Sequence, residues 1–199
     1  LAIEAVIEKI EIKQKFFLEL EKLNGKDCIL ASNTSSLSVT QLASVLKHQE
    51  RVAGLHFFNP APAMKLVEII AGAATSSETI ETLKQFTSTL SKASVLVKDA
   101  PGFIVNRVAR PFYVEALKVL EENVAGHQTI DALIKNAGFR MGPFELMDMI
   151  GIDVNYAVTT SLYESFKQEP KFRPSRIQQQ KIDAGHLGVK SGKGFYEYP

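Results

Sequence analysis

The sequence predicts an alternating α/β domain followed by an all-helical one, and three observations carry that reading. Short apolar runs of strand length alternate with amphipathic helical segments through the first half. Proline and glycine interrupt that pattern at Lys98-Asp99-Ala100-Pro101-Gly102, and beyond the interruption strand signals almost vanish. The boundary is therefore placed between residues 98 and 99, giving domains of residues 1–98 and 99–199.

The opening run Leu1-Ala2-Ile3-Glu4-Ala5-Val6-Ile7 is strand-like from its first residue, with no methionine before it, so a piece of a larger domain is expected. Residues 10–23 carry Ile12, Phe16, Leu20 and Leu23 as a helical stripe that Asn24-Gly25 should terminate. A strand at 28–31 leads into the polar turn Ser32-Asn33-Thr34-Ser35-Ser36. Ser38-Val39-Thr40-Gln41 has the spacing of a capping box and opens a helix reaching about Lys47. The strand bearing His56 follows, then the apolar run 66–71, a helix presenting Ile80, Leu83, Thr87 and Leu90, and a last strand at 94–97. In the second half, 103–123 reads as a long helix that Pro111 should kink or break, because proline lacks the amide donor and collides with the preceding turn. Shorter helices are predicted at 129–136, at 143–150 with proline in first position, at 154–167 and at 174–183. The glycine-punctuated tail from Gly188 to Tyr196 is expected to strap over them.

Composition excludes several classes. The 199 residues carry 23 basic and 22 acidic side chains, a balance that offers nucleic acid no basic face. No apolar run approaches the roughly 20 residues that span a bilayer, and the charges within the first 30 positions exclude a signal peptide. The one cysteine, Cys28, lies in an apolar run and reads as a lone buried thiol, which suits a reducing compartment. No metal site is expected.

Chemistry concentrates in Leu55-His56-Phe57-Phe58-Asn59-Pro60 and Leu66-Val67-Glu68-Ile69-Ile70. An imidazole and a carboxylate each sit in an apolar run that reads as a buried strand, where neither is stable without a partner. Taken singly, His56 is as well explained as a core histidine bonded to a carbonyl, and Glu68 as a strand-end residue in water. Jointly they favour a base and its orienter, because a buried carboxylate needs compensation and histidine is the partner that titrates near neutrality. On pattern alone Ser35 is a turn residue, Asn106 a first-turn residue of the long helix, Asn59 a loop amide, and Glu8 and Lys13 surface charges. A serine hydrolase is disfavoured, since no serine stands in a Gly-x-Ser-x-Gly elbow.

Five segments in order carry a resemblance: Ala31-Ser32-Asn33-Thr34-Ser35-Ser36, His56-Phe57-Phe58-Asn59-Pro60, Lys65-Leu66-Val67-Glu68-Ile69-Ile70, Pro101-Gly102-Phe103-Ile104-Val105-Asn106-Arg107 and Met141-Gly142-Pro143-Phe144-Glu145-Leu146. Together they resemble the L-3-hydroxyacyl-CoA dehydrogenase family, including its short-chain 3-hydroxybutyryl-CoA members, over the whole chain. The resemblance implies part of a Rossmann-type NAD-binding domain, then a helical C-terminal domain of the 6-phosphogluconate dehydrogenase C-terminal-like kind. It implies NAD as cofactor, an acyl-CoA substrate, beta-oxidation-type metabolism, a homodimer formed through the helical domain, and a cytoplasmic or, in a eukaryote, mitochondrial-matrix location. By the same resemblance His56 is similar to the catalytic base and Glu68 to its partner. Ser35 and Asn106 correspond to substrate-binding groups, and Ala5, Glu8, Lys13, Ser35, Asn59 and Lys190 to dinucleotide contacts.

The chain departs from the family in one respect. The phosphate-cradling Gly-x-Gly-x-x-Gly turn is absent, and Gly192-Lys193-Gly194 neither follows a strand nor opens a helix. These residues alone are therefore expected to have little activity. The alternative is a non-catalytic acyl-CoA-binding or dimerisation module, favoured if acyl-CoA binds without cofactor-dependent chemistry.

Overall fold

The computed structural model describes residues 1–199, which divide into two compact units, Leu1–Ile104 and Val105–Pro199. The break falls after Ile104 rather than after Lys98. Asp99 explains this, for its carboxylate accepts from Ser38 Oγ (2.8 Å) and from the backbone N–H groups of Val39 (3.1 Å) and Thr40 (2.8 Å), fastening the start of the Pro-Gly segment to the first unit.

The first unit is a five-stranded sheet in sequence order: β1 (Ala2–Glu4), β2 (Leu30–Ser32), β3 (Val52–Phe57), β4 (Leu66–Ala71) and β5 (Ala93–Lys98). The first three strands are parallel, joined by α1 (Ile10–Asn24) and by the short α2 (Val39–Ala43). β4 turns back antiparallel to β3, and α3 (Ser77–Thr89) returns the chain so that β5 runs parallel to β4. Leu30, Val52 and Ile70 pack on one face with Phe17, Leu42 and Phe103, while Ala31, Ala53, Leu55, Val67 and Ile69 pack on the other with Leu83. Burial on both faces is why these strands read as unbroken apolar runs.

Several predicted details shift. β1 covers three residues of the seven in its run. α2 has the predicted Ser38 cap, with Oγ accepting from Gln41 N at 3.2 Å, but it stops at Ala43. Cys28 is half-buried rather than enclosed. The largest revision is in α1, whose buried positions are Lys13 and Phe17, with Ile12, Phe16 and Leu23 exposed. The apolar stripe misplaces the buried face because a buried carboxylate, Glu4, compensates the lysine.

The second unit consists of α4 (Val105–Glu121), α5 (His127–Asn136), α6 (Pro143–Ile150), α7 (Ile152–Ser165) and α8 (Arg176–Asp183). α4 runs through Pro111 as one continuous helix, so of the expected kink or break the break does not occur. Its core gathers Tyr113, Leu117, Ile130, Phe144, Met147, Ile152 and Phe195. Phe195 belongs to the tail, which does form the expected strap over these helices. Two buried carboxylates hold it. Asp148 accepts from Phe195 N (2.9 Å), Tyr196 N (2.9 Å) and Tyr198 Oη (3.0 Å), and Asp131 from Phe144 N (2.9 Å), Glu145 N (3.0 Å) and Tyr196 Oη (2.8 Å). The strap lies so close that a Cβ on Gly194 would stand 2.1 Å from Asp148 Oδ1.

Candidate active site

Antiparallel pairing of β3 and β4 sets His56 directly opposite Glu68. In such a pair the facing side chains project to the same side of the sheet, within contact distance. Here the contact is a hydrogen bond, His56 Nδ1 to Glu68 Oε2 at 2.8 Å, between an imidazole 4% exposed and a fully buried carboxylate. The carboxylate accepts, so Nδ1 carries the proton and Nε2 is the nitrogen that can take or give one. The other carboxylate oxygen, Oε1, accepts the backbone N–H of Ile104 at 2.9 Å. The N–H groups of His56 and Ile104 thus converge on one buried carboxylate, the arrangement that makes such a group tolerable in a core. Phe58 and Phe103 pack against the imidazole with ring centroids at 4.5 and 5.8 Å.

A second polar cluster occupies the carboxyl ends of β1 and β2. Lys13 Nζ, 1% exposed with its whole side chain enclosed, donates to both oxygens of Glu4 at 2.9 Å, lies 3.2 Å from Glu8 Oε2, and reaches Val6 O at 3.3 Å. Ser32 Oγ also donates to Glu4. Glu8 extends the cluster to the polar turn, where Oε1 accepts from Thr34 Oγ1 (2.5 Å), Ser35 N (2.9 Å) and Ser36 N (3.2 Å). Burial works against ionisation of Glu8, but the Thr34 hydroxyl, the Lys13 ammonium and the Ser35 N–H together outweigh it and hold the carboxyl below its ordinary range. Asn33 ties the same turn to β3, its Oδ1 accepting the Phe57 N–H at 2.9 Å.

Within the first unit the predicted residues gather where ligands sit on α/β sheets, at the carboxyl ends of parallel strands: Ala5 and Glu8 follow β1, Ser35 follows β2, and His56 and Asn59 lie at and after the end of β3. Lys13 is spent inside the protein on Glu4 and Glu8, so its action on any ligand passes through the Glu8 carboxylate. Asn106 lies in the first turn of α4, and Lys190 on the tail is ion-paired with Asp153 at 2.7 Å. Sequence reasoning missed Glu4, Asn33 and Asp99. Glu4 was the most accessible of these, as a carboxylate at an alternating position of a strand whose neighbouring helix carries a lysine.

A Rossmann-type unit with a histidine–carboxylate pair on its sheet, followed by a helical unit, is the class these features define. The comparisons narrow it. Residues 1–100 match the family model for the 3-hydroxyacyl-CoA dehydrogenase NAD-binding domain, and residues 102–198 match the model for the C-terminal domain of the same enzymes. The chain belongs to the 3-hydroxyacyl-CoA dehydrogenase family. It is 51% identical over all 199 residues to the 3-hydroxyadipyl-CoA dehydrogenase of Escherichia coli K12, covering 42% of that protein, and 43% identical to the mitochondrial hydroxyacyl-coenzyme A dehydrogenase of Sus scrofa, covering 63%. It therefore spans less than two thirds of the length of these relatives. Over 99% of this chain and 70% of the other, it superposes on the (S)-3-hydroxybutyryl-CoA dehydrogenase of Ralstonia eutropha with a TM-score of 0.93 at 41% identity.

Proposed function

We propose that this chain carries the acid–base centre of an NAD-dependent L-3-hydroxyacyl-CoA dehydrogenase. The observation that supports the reading best is the His56–Glu68 pair, held in register across two buried strands at the ligand-facing edge of a sheet that matches the family's NAD-binding domain. In the oxidative direction His56 Nε2 takes the proton of the substrate 3-hydroxyl, and in the reductive direction it returns it to the 3-keto oxygen. Glu68 fixes the tautomer that leaves Nε2 available and stabilises the imidazolium while the proton is held. Ser35 and Asn106 hold the substrate's oxygens, so their contribution is positioning and electrostatic.

NAD, when bound, supplies the acceptor for the hydride that leaves the carbinol carbon. The residues at the strand ends fit such a group. Glu8 is a partly exposed carboxylate whose charge Lys13 and three turn donors already stabilise, an acceptor suited to ribose hydroxyls. Ala5, Asn59 and Ser35 share that edge, and Lys190 completes the proposed set. The Gly-x-Gly-x-x-Gly cradle for the pyrophosphate is not among these residues, and we propose that the 199 residues alone turn over poorly. The relatives' names set the proposed class, a 3-hydroxyacyl-CoA, with assembly as a homodimer through the helical unit. No helix is long and apolar enough to cross a membrane.

The test is acetoacetyl-CoA-dependent oxidation of NADH by this chain and by the chain joined to the amino-terminal portion of the Clostridioides difficile 3-hydroxybutyryl-CoA dehydrogenase, itself 42% identical. Activity in the joined protein and its loss in His56→Ala are expected. Acyl-CoA binding with no NADH oxidation in a folded joined protein would replace this reading with that of a binding module.

A further inference from the structure

The segment that links the two units contains a backbone anomaly beside the histidine. Gly102 has φ 73° and Phe103 has φ 51°, two consecutive left-handed residues, the second a bulky aromatic for which that region is sterically costly. Both ends of the segment are fastened within the first unit. Asp99 is held to the start of α2 by its three hydrogen bonds, and Ile104 N–H is held by Glu68 Oε1 at 2.9 Å. Phe103 N closes the turn on Ala100 O at 3.0 Å. Between these anchors Phe103 is 4% exposed and belongs to the core cluster of Phe17, Leu42 and Val52, its ring centroid 5.8 Å from that of the His56 imidazole.

A costly conformation persists when its surroundings over-determine it, and an observed outlier beside reacting groups asks for a functional explanation. One strained turn achieves two placements that a relaxed chain would not deliver together: an aromatic ring against the imidazole, and the following N–H on the carboxylate that orients that imidazole. We propose that Phe103 is a positioning residue for the acid–base pair, its ring excluding water from the Nδ1–H···Glu68 bond while the left-handed turn aims the Ile104 N–H at the same carboxylate. This rests on the reading of His56 and Glu68 as that pair. Water reaching the bond would offer both the imidazole and the carboxylate other partners, and the ring would lose its fixed aim. Phe103 touches no reacting atom in this proposal and acts only through His56 and Glu68.

The test needs neither cofactor nor substrate, so it stands apart from the outcome of the activity assay. The downfield ¹H resonance of His56 Nδ1–H is followed in the chain, with its disappearance in His56→Gln as the assignment. In Phe103→Ala this resonance is expected to be lost to rapid exchange with water, and Phe103→Leu, which keeps apolar bulk, is expected to retain it with faster exchange than the parent. Phe17→Leu, a truncation in the same core cluster at a ring that makes no aromatic contact with the histidine, should leave it unchanged. Where Phe103→Ala does not fold, the comparison of Phe103→Leu with Phe17→Leu decides. An exchange rate in Phe103→Leu equal to that of the parent, or an equal acceleration in Phe17→Leu, overturns the proposal. In the joined, active protein the corresponding expectation is a fall in turnover with KM for the acyl-CoA nearly unchanged, and a change in KM alone would count against it.

Discussion

Each unit buries carboxylates completely, and the two use them differently. In the sheet unit Glu68 accepts the Ile104 backbone N–H through one oxygen and an imidazole N–H through the other. In the helical unit Asp131 and Asp148 spend theirs on backbone N–H groups and tyrosine hydroxyls, which tie α5 and α6 to the tail. Burial and satisfaction alone therefore do not mark a catalytic carboxylate. The distinguishing feature is the hydrogen-bonded partner, since of the three only Glu68 bonds directly to an imidazole, a ring that can both take and give a proton.

The contrast is broken most severely at the histidine. In the joined protein His56→Ala should lower turnover by about 10²–10⁴-fold, the range general acid–base catalysis supplies, with little effect on cofactor binding. Glu68→Gln keeps the shape but presents an amide to Nδ1, and should cost on the order of 10²-fold or more, below the roughly 10⁴ of the like change in a catalytic triad. Steady-state kinetics of both variants checks this. Near-normal turnover in either would remove the functional distinction between Glu68 and the two aspartates.

How far this distinction was legible depends on which elements compose it. The sheet unit's alternation, the helical second half and the strap formed by the tail are local consequences of periodicity, capping and turn chemistry, and they were readable, whereas the hold of Asp148 on that strap, 47 residues away in sequence, was not. So was the pairing of His56 with Glu68, through the cost of burying each alone. The register that sets them face to face was not, since it depends on how the eight residues between β3 and β4 turn, and short apolar runs carry no sign of parallel or antiparallel neighbours. Lys13 was misjudged for a related reason. A lysine among apolar helical positions reads as solvated until a carboxylate from another strand, Glu4, is known to stand within reach. Ser35 and Asn106 gained roles only by resemblance.

On the structural side of the comparison, Asp148→Ala should unfold the helical unit's closure without touching the dyad. It strands the buried Phe195 N–H, at a cost of about 1–3 kcal/mol, and removes the acceptor of the part-buried Tyr196 N–H and Tyr198 hydroxyl, which water can partly replace, so a loss of at least about 1–3 kcal/mol is expected in urea denaturation. Gly194→Ala should approach the same loss by displacing the carboxylate sterically. The His56 Nδ1–H resonance is expected to survive both substitutions in whatever fraction remains folded. Its loss along with the strap would mean that the two carboxylate systems are coupled and that the contrast between them does not hold.

The smallest effect expected is at Glu8, which stands between the two kinds of carboxylate: partly exposed, yet tied to a buried ammonium and to the Ser35 turn. Its pKa is lowered from the ordinary 4.5, so the folded state holds the proton less tightly than the unfolded chain does. That difference stabilises the fold above the unfolded value and is lost as pH falls through the lower, folded one. Glu8→Gln should therefore lower stability near neutrality by a small amount, small because solvent screens a side chain 37% exposed, and flatten the decline below about pH 4.5 so that parent and variant converge in acid. Urea midpoints measured across that range give the slopes directly. Equal slopes in parent and variant would show that the Lys13–Glu8 contact holds no ionisation-dependent stability, and that Lys13 is held by its buried pair with Glu4, which ties α1 to β1.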